Sequence, residues 1–276
     1  VGEGDTLDLG DKTLRFVDAP WLPWPETMFT YCAEDRVLFP CDFFGARIAK
    51  SQLYDDEVGD IVLPEAKRYY AEIMMPFPVA IQRALDKAKN LDLKMIAPSH
   101  GPIYRNPKRI LDAYEKWARG LLLQKVVVIY VTMWGSTETL EKAIVESISA
   151  EGVETVPYNL LVADISHVMR DLVDASAIVI GAPTVLNGAH PVAIMATEIV
   201  RALKPRAKLA AVFGSYGWGR GAVKMITERL QQSGFEIIET LEVRGPPKKE
   251  DTQKAVDLGK HVAQRVKEGI KKQLAE

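Results

Sequence analysis

Cysteine is nearly absent from this chain: 276 residues carry two, Cys32 and Cys41. A disulfide framework needs several pairs in a short secreted chain, so the expectation is two buried thiols in a reducing cytoplasm. Charge of one sign is lacking as well. With 35 basic and 37 acidic residues the formal charge is −2, which leaves no electrostatic footprint for nucleic acid or for an anionic membrane. No apolar run reaches the roughly 18 residues of a membrane span, and no charged-then-apolar signal segment opens the chain. A soluble cytoplasmic protein is expected, with neither nucleic acid nor membrane as partner.

Two nucleotide signatures are missing too. No G-x-G-x-x-G occurs, which excludes the dinucleotide fingerprint, and no G-x-x-x-x-G-K-[ST] occurs, which excludes the nucleoside-triphosphate loop. What is present is material for real cores: apolar residues make up 47% and charged residues 26%. The length suits one large or two ordinary domains.

The first part, 1–122, mixes strands and helices. VGEGDTLDLGDKTLRFVDAP reads as strand, Gly-Asp turn, strand from the outset, an abrupt start that suggests a domain whose first portion is missing, although a non-standard start would read the same. TLRFVDA, MFTYC and RVLFPC are short, β-branched and aromatic, and separated by turn formers. Pro64 and Glu65 begin a helical stretch that Pro76 and Pro78 break, and a second helix runs to about Asn90. LKMIAPSHGP reads as a buried strand entering a loop. NPKRILDAYEKWARGLL reads as an amphipathic helix with Ile110, Tyr114, Trp117 and Leu121 on one face.

From 123 to 276 the rhythm becomes strand and helix in alternation. KVVVIYV, ETVPYN, AIVIGAP, KLAAVFG and FEIIETLEV are the strands. Helices are expected at about 137–150, 166–174, 191–203, 221–233 and from about 250 onward. Strands that are continuous Val/Ile/Ala runs are buried on both faces, as in a parallel sheet covered by helices. Five such units predict an α/β doubly wound sheet of order 2-1-3-4-5.

Ligands of such sheets bind outside the carboxyl ends of the strands, and three loops there have unusual composition. Thr132, Met133, Trp134, Gly135, Ser136 and Thr137 place hydroxyls and a glycine where a helix aims its free N–H groups. Without a lysine, that combination suits the phosphate monoester of FMN. The plainer alternative is that Ser136 or Thr137 only caps the helix. Pro183, Thr184, Asn187 and Gly188 follow the third strand; Ser215, Tyr216, Gly217, Trp218 and Gly219 follow the fourth. An isoalloxazine ring needs flat apolar contact on its faces and backbone donors and acceptors at its pyrimidine edge, and these loops can supply both. Arg220 stands near either the flavin or a partner. His167 and His261 fall in expected helices and His190 precedes Pro191; none has a partner at metal-ligand spacing.

TMWGSTE, GAPTVLNG and GSYGWGRG together resemble the flavodoxin domain of the flavodiiron proteins, prokaryotic oxygen and nitric oxide reductases. The resemblance continues upstream through LPWPETMFTY, LFPCDFFG and APSHGPIYR, which are similar to the later metal motifs of that family's metallo-β-lactamase-like α+β domain. It implies that Asp42 falls at the position of a metal-bridging aspartate and His100 at that of a metal-binding histidine, both suited to iron. Where the family has a histidine before Trp-Pro, this chain has Pro23, and it contains no His-x-Glu-x-Asp motif. A diiron centre would therefore need ligands from another chain; otherwise His100 is a loop histidine and Asp42 caps a turn. No catalytic residue stands out. The resemblance further implies an electron donor protein or a reduced cofactor system, and a homo-oligomer or a hetero-oligomer whose second chain supplies the missing half-domain. Two functions follow. One is an oxidoreductase passing electrons from FMN to iron, which reduces oxygen or nitric oxide. The other is a metal-free FMN electron carrier whose N-terminal segment docks a partner or dimerises.

Overall fold

The computed structural model describes residues 1–275 and falls into two compact units, Val1–Leu121 and the residues from Leu122 onward. In the first unit, strands β1 (Thr6–Asp8), β2 (Thr13–Asp18), β3 (Met28–Cys32) and β4 (Val37–Phe39) pair antiparallel in sequence order. Helices α1 (Asp55–Val58), α2 (Val62–Tyr69) and α3 (Pro78–Lys89) follow, with a π-helical turn at Tyr70–Met74 between the last two. Pro64 lies in the first turn of α2, where its missing N–H has no intrahelical partner to lose. Strand β5 (Met95–Ile96) then adds parallel to β4, and helix α4 (Pro107–Arg119) completes the unit.

Four sequence expectations need correction in this unit. Cys32 is buried, but Cys41 is exposed, because β4 ends at Phe39 before Pro40 and the cysteine sits in the turn beyond it. The stretch LKMIAPSHGP gives a strand of two residues, since Pro98 has no N–H to continue a ladder. Leu121 lies past the left-handed Gly120 that ends α4 and is exposed, and Trp117 is only partly buried. The buried face of α4 is Ile110, Leu111, Tyr114 and Ala118. That face meets an aromatic cluster in which Tyr114 lies edge-on to Phe43 at 5.0 Å and to Tyr70 at 5.3 Å between ring centroids.

The second unit is the doubly wound sheet. Strands β6 (Leu123–Tyr130), β7 (Glu154–Asn159), β8 (Ala175–Val185), β10 (Leu209–Tyr216) and β11 (Glu236–Arg244) are parallel, in spatial order β11-β10-β8-β6-β7; the short β9 (Gly188–Ala189) folds back on β8. Counting the parallel strands along the chain, this is the expected 2-1-3-4-5. Helices α5 (Ser136–Ala150), α6 (Ile165–Leu172), α7 (Pro191–Leu203), α8 (Ala222–Gln232) and α9 (Lys249–Ala275) connect them or follow the last strand. Alternate residues feed opposite cores: Val127 and Ile129 pack with α6, α7 and α8, while Val126 and Val128 pack with α5 and α9. The α5–α9 crossing is close because Gly259 has no side chain; a Cβ there would lie 1.9 Å from Ser147 Oγ. Among the described residues no helix is long and apolar enough to cross a membrane.

Candidate functional site

The parallel strands of the second unit end together, so the loops after β6, β8, β10 and β11 converge. They enclose a cavity of about 430 Å³, within the usual size of a cofactor pocket. Its wall comes from Thr132, Met133, Trp134, Ser136 and Thr137 on the first loop, and from Pro183 to Leu186 on the second. Ser215 to Trp218 on the third loop and Gly245 and Pro246 on the fourth complete it. No residue of that wall is charged.

The first loop turns into α5 at Gly135, which is left-handed (φ 84°) and stands at the N-cap position without any side-chain cap. Ser136 and Thr137 are inside the helix, so the capping alternative for them fails. Gly135 donates its N–H to Thr132 Oγ1 at 3.1 Å, which shapes the loop, while the first N–H groups of α5 carry no side-chain acceptor. An uncapped helix start bordered by hydroxyls is an anion site by composition and dipole. Thr137 is buried and its hydroxyl lies 3.0 Å from that of Ser215, tying the first loop to the third.

The second loop is more ordered than its composition suggests. Strand β8 runs on through Pro183 to Val185 and turns back into β9, pairing Thr184 with Ala189 and Val185 with Gly188. The two turn residues, Leu186 (φ 48°) and Asn187 (φ 62°), are both left-handed, as a two-residue hairpin of the tightest kind requires. Leucine is a poor residue for that conformation, and strain of this sort collects at ligand sites.

Gly135, Asn187, Gly188 and Gly219 are not part of the cavity wall. The last three work behind it. A Cβ on Gly219 would lie 2.5 Å from Asn187 Oδ1, and one on Gly221 would lie 2.0 Å from the Asn187 carbonyl oxygen, so Gly219 leaves room for the Asn187 side chain and Gly221 lets the two segments pack backbone to backbone. Thr184 Oγ1 accepts the Ala222 N–H at 3.2 Å, joining the second loop to the start of α8. Gly245 and Pro246 were missed. They follow the fifth strand at the same edge, and the rule applied to the other loops would have found them.

Three wall residues are almost wholly exposed: Trp134 at 90%, Leu186 at 93% and Trp218 at 92%. Large apolar side chains left open around one concave site are the mark of a surface meant to be covered. The cavity's size, its neutral wall, the open α5 N-terminus and these flat side chains fit the phosphate and ring of FMN.

In the first unit, the turn after β4 brings Asp42 to the loop after β5. Asp42 Oδ1 and His100 Nε2 are 3.2 Å apart. The two loops are fastened by Ala46 N–H to the His100 carbonyl at 3.1 Å and Ser99 N–H to the Cys41 carbonyl at 2.8 Å. Gly101 is left-handed and a Cβ there would lie 2.8 Å from that of Ala46, so only glycine allows this approach. The Tyr69 ring stands 5.7 Å from that of His100, and burial, then the Asp42 charge, raises its hydroxyl pKa. Among the described residues no group of three or more His, Cys, Asp or Glu is placed to hold a metal ion. Two groups alone, 3.2 Å apart, do not fit a diiron centre by themselves. The remaining three histidines are elsewhere: His167 lies in α6, His190 Nδ1 accepts the Val192 N–H at the start of α7, at 3.3 Å, and His261 pairs with Glu239 at 2.9 Å.

Comparison with known proteins agrees with this geometry. Residues 128–259 match the flavodoxin family model and residues 2–101 match that of the ODP family beta lactamase. A nitric oxide reductase of Moorella thermoacetica is 40% identical over 272 residues, spanning 96% of this chain and 68% of the relative. A coenzyme F420H(2) oxidase of Methanothermobacter marburgensis is 37% identical over 275 residues, 97% of this chain and 68% of the relative. The crystal structure of the flavodiiron protein from Giardia intestinalis superposes with a TM-score of 0.95 at 29% identity, covering 99% of this chain and 68% of that one. With its flavodoxin-like sheet, its β-lactamase-like strands and these relatives, the chain belongs to the flavodiiron protein family.

Proposed function

We propose that the chain is an FMN-dependent electron-transfer oxidoreductase of flavodiiron type. The observation that carries this reading is the uncharged cavity at the carboxyl edge of the sheet, with the uncapped start of α5 at one end and exposed Trp134 and Trp218 on its rim. FMN, when bound, supplies a ring that takes up and gives back one or two electrons. Thr132, Ser136, Thr137 and the first N–H groups of α5 hold the phosphate, with Gly135 shaping the turn. Met133, Trp134, Pro183, Thr184, Tyr216, Gly217 and Trp218 shelter the ring, with Ser215 bridging to Thr137. Asn187, Gly188 and Gly219 fix the two loops that carry them.

Electrons come from a donor protein or a reduced cofactor system, and the protein works as an oligomer in the cytoplasm. The Asp42–His100 pair at 3.2 Å favours a second step. Two iron-type ligands brought together by two fastened loops are the smaller part of a metal site, and ligands from another chain would complete it for reduction of oxygen or nitric oxide. The alternative is an FMN carrier without metal, in which Asp42 and His100 are loop neighbours only.

The iron-to-FMN ratio of protein purified without oxygen, with its co-purifying chains identified, decides between them. Two irons per FMN together with a second chain supports the reductase. FMN without iron supports the carrier, and failure to take up FMN on reconstitution overturns both.

A further inference from the structure

The cavity wall is uncharged, so any charge acting on its occupant stands behind the wall. Arg220 does. Its guanidinium carbon lies 5.1 Å from the centroid of the Tyr216 ring, within cation–π range. Tyr216 lines the cavity and Arg220 does not. The guanidinium is held from the sheet: Nε lies 3.6 Å from Glu242 Oε2, and Glu242 sits beside Gly214 in the β10–β11 register. The other carboxylate oxygen of Glu242 is buried with no hydrogen-bond partner, so Arg220 is the counter-charge of an otherwise costly group. The Tyr216 backbone is pinned separately. Its carbonyl accepts the Gly245 N–H at 2.8 Å, and Arg244 Nε donates to the next carbonyl, that of Gly217, at 3.1 Å. Arg220 is therefore not needed to shape the loop, and what it adds is charge and the placing of one ring.

We propose that Arg220 is a positioning residue of the flavin site, held by Glu242 over Tyr216 so that its charge favours the reduced, more negative form of the bound flavin. This rests on the FMN reading of the same cavity. A guanidinium is charged at every working pH, so the effect is constant across the physiological range. Its side chain is 69% exposed, and water and salt screen it, so the preference is modest: about fivefold in the ratio of affinities for reduced and oxidised FMN.

The test compares wild type, Arg220→Gln and Arg220→Lys by two measurements: the affinity of the apoprotein for oxidised FMN, from quenching of flavin fluorescence, and the two-electron midpoint potential at low and high salt. Arg220→Gln should keep oxidised FMN affinity within about twofold. Its reduced-to-oxidised ratio should fall about fivefold, a drop of about 20 mV at 30 mV per tenfold. The difference should shrink at high salt, and Arg220→Lys should recover most of it. An unchanged potential in Arg220→Gln, or equal weakening of both oxidation states, overturns the inference while leaving FMN binding intact. A wild-type protein that binds no FMN overturns the cavity reading and this inference with it.

Discussion

The two units differ in how many loops bring candidate site residues to one place. In the flavodoxin-like unit four loops from one sheet edge meet around a neutral cavity with the uncapped start of α5 beside it. In the β-lactamase-like unit the two candidate ligands, Asp42 and His100, stand 3.2 Å apart, and among the described residues no third joins them. A parallel sheet delivers all its strand ends to one side, so a site can be assembled from consecutive βα units of a single stretch of chain. A metal centre needs several ligands converging from separate loops, and here only two loops bring any. The first cavity is built within one unit; a metal centre at the second place would depend on ligands that residues 1–275 do not place.

The sharpest way to break this contrast is to put charge in the neutral cavity. Ser136→Glu sets a carboxylate at the start of α5, where the FMN phosphate is expected. It should weaken FMN binding about 100-fold, or about 2.7 kcal/mol, measured by fluorescence titration. A loss under threefold would mean that the phosphate lies elsewhere.

The next effect concerns the helix under that loop. Glu141 is one turn beyond Thr137 on α5 and is buried. Desolvation, reinforced by Glu138 and Glu146 and opposed by Lys142, raises its carboxyl pKa to about 7, with the partly desolvated Tyr130 facing it. Because the folded state holds this proton and the unfolded state releases it near pH 4.5, stability contributed at low pH declines through pH 4.5–7 and is gone above 7. Glu141→Gln should therefore stabilise the protein by roughly 2–3 kcal/mol at pH 8 and by little at pH 4. Urea unfolding at the two pH values checks this; an equal effect at both would show that the carboxylate is not desolvated.

Smaller again is the contribution of the rim. Trp218→Ala removes one flat apolar side chain and should weaken FMN about tenfold, or about 1.4 kcal/mol, while leaving the urea midpoint unchanged, since Trp218 is 92% exposed. Loss of folding in this variant would mean that Trp218 packs rather than binds. The smallest effect sharpens the comparison most: Asp42→Ala should leave FMN affinity within about twofold. Under the reductase reading the same change should abolish gas reduction by the completed assembly, and under the carrier reading it should alter no electron-transfer rate.

Much of the second unit was legible because its signals are local. Each buried strand is a run such as VVVIY, each helix begins near a Gly, Asp or Pro, and the 2-1-3-4-5 order follows from a repeated alternation. The errors were also local in cause. Leu186 and Asn187 read as loop and do form a turn, but nothing in their side chains announces its left-handed backbone or the hairpin that β8 and β9 impose. Cys41 reads as a strand residue because it ends the apolar run RVLFPC, whereas the ladder with β3 stops at Phe39, before Pro40. Asn187, Gly188 and Gly219 read as cavity residues by composition, whereas the fold sets them outside the wall, with Gly219 packed on Asn187.

By itself the sequence determined the elements and their class: hydrophobic period and turn residues are short-range properties, and the loops at strand ends carry their chemistry in their composition. Tertiary structure alone decided which groups face each other. It brought Asp42 to His100 from 58 residues apart in numbering, joined the Thr137 and Ser215 hydroxyls, and set Arg220 over Tyr216 with Glu242 behind it. Such pairings depend on the register of β10 on β11 and on glycines that admit close backbone contact, and register and contact are settled only when the sheet and its helices pack as a whole.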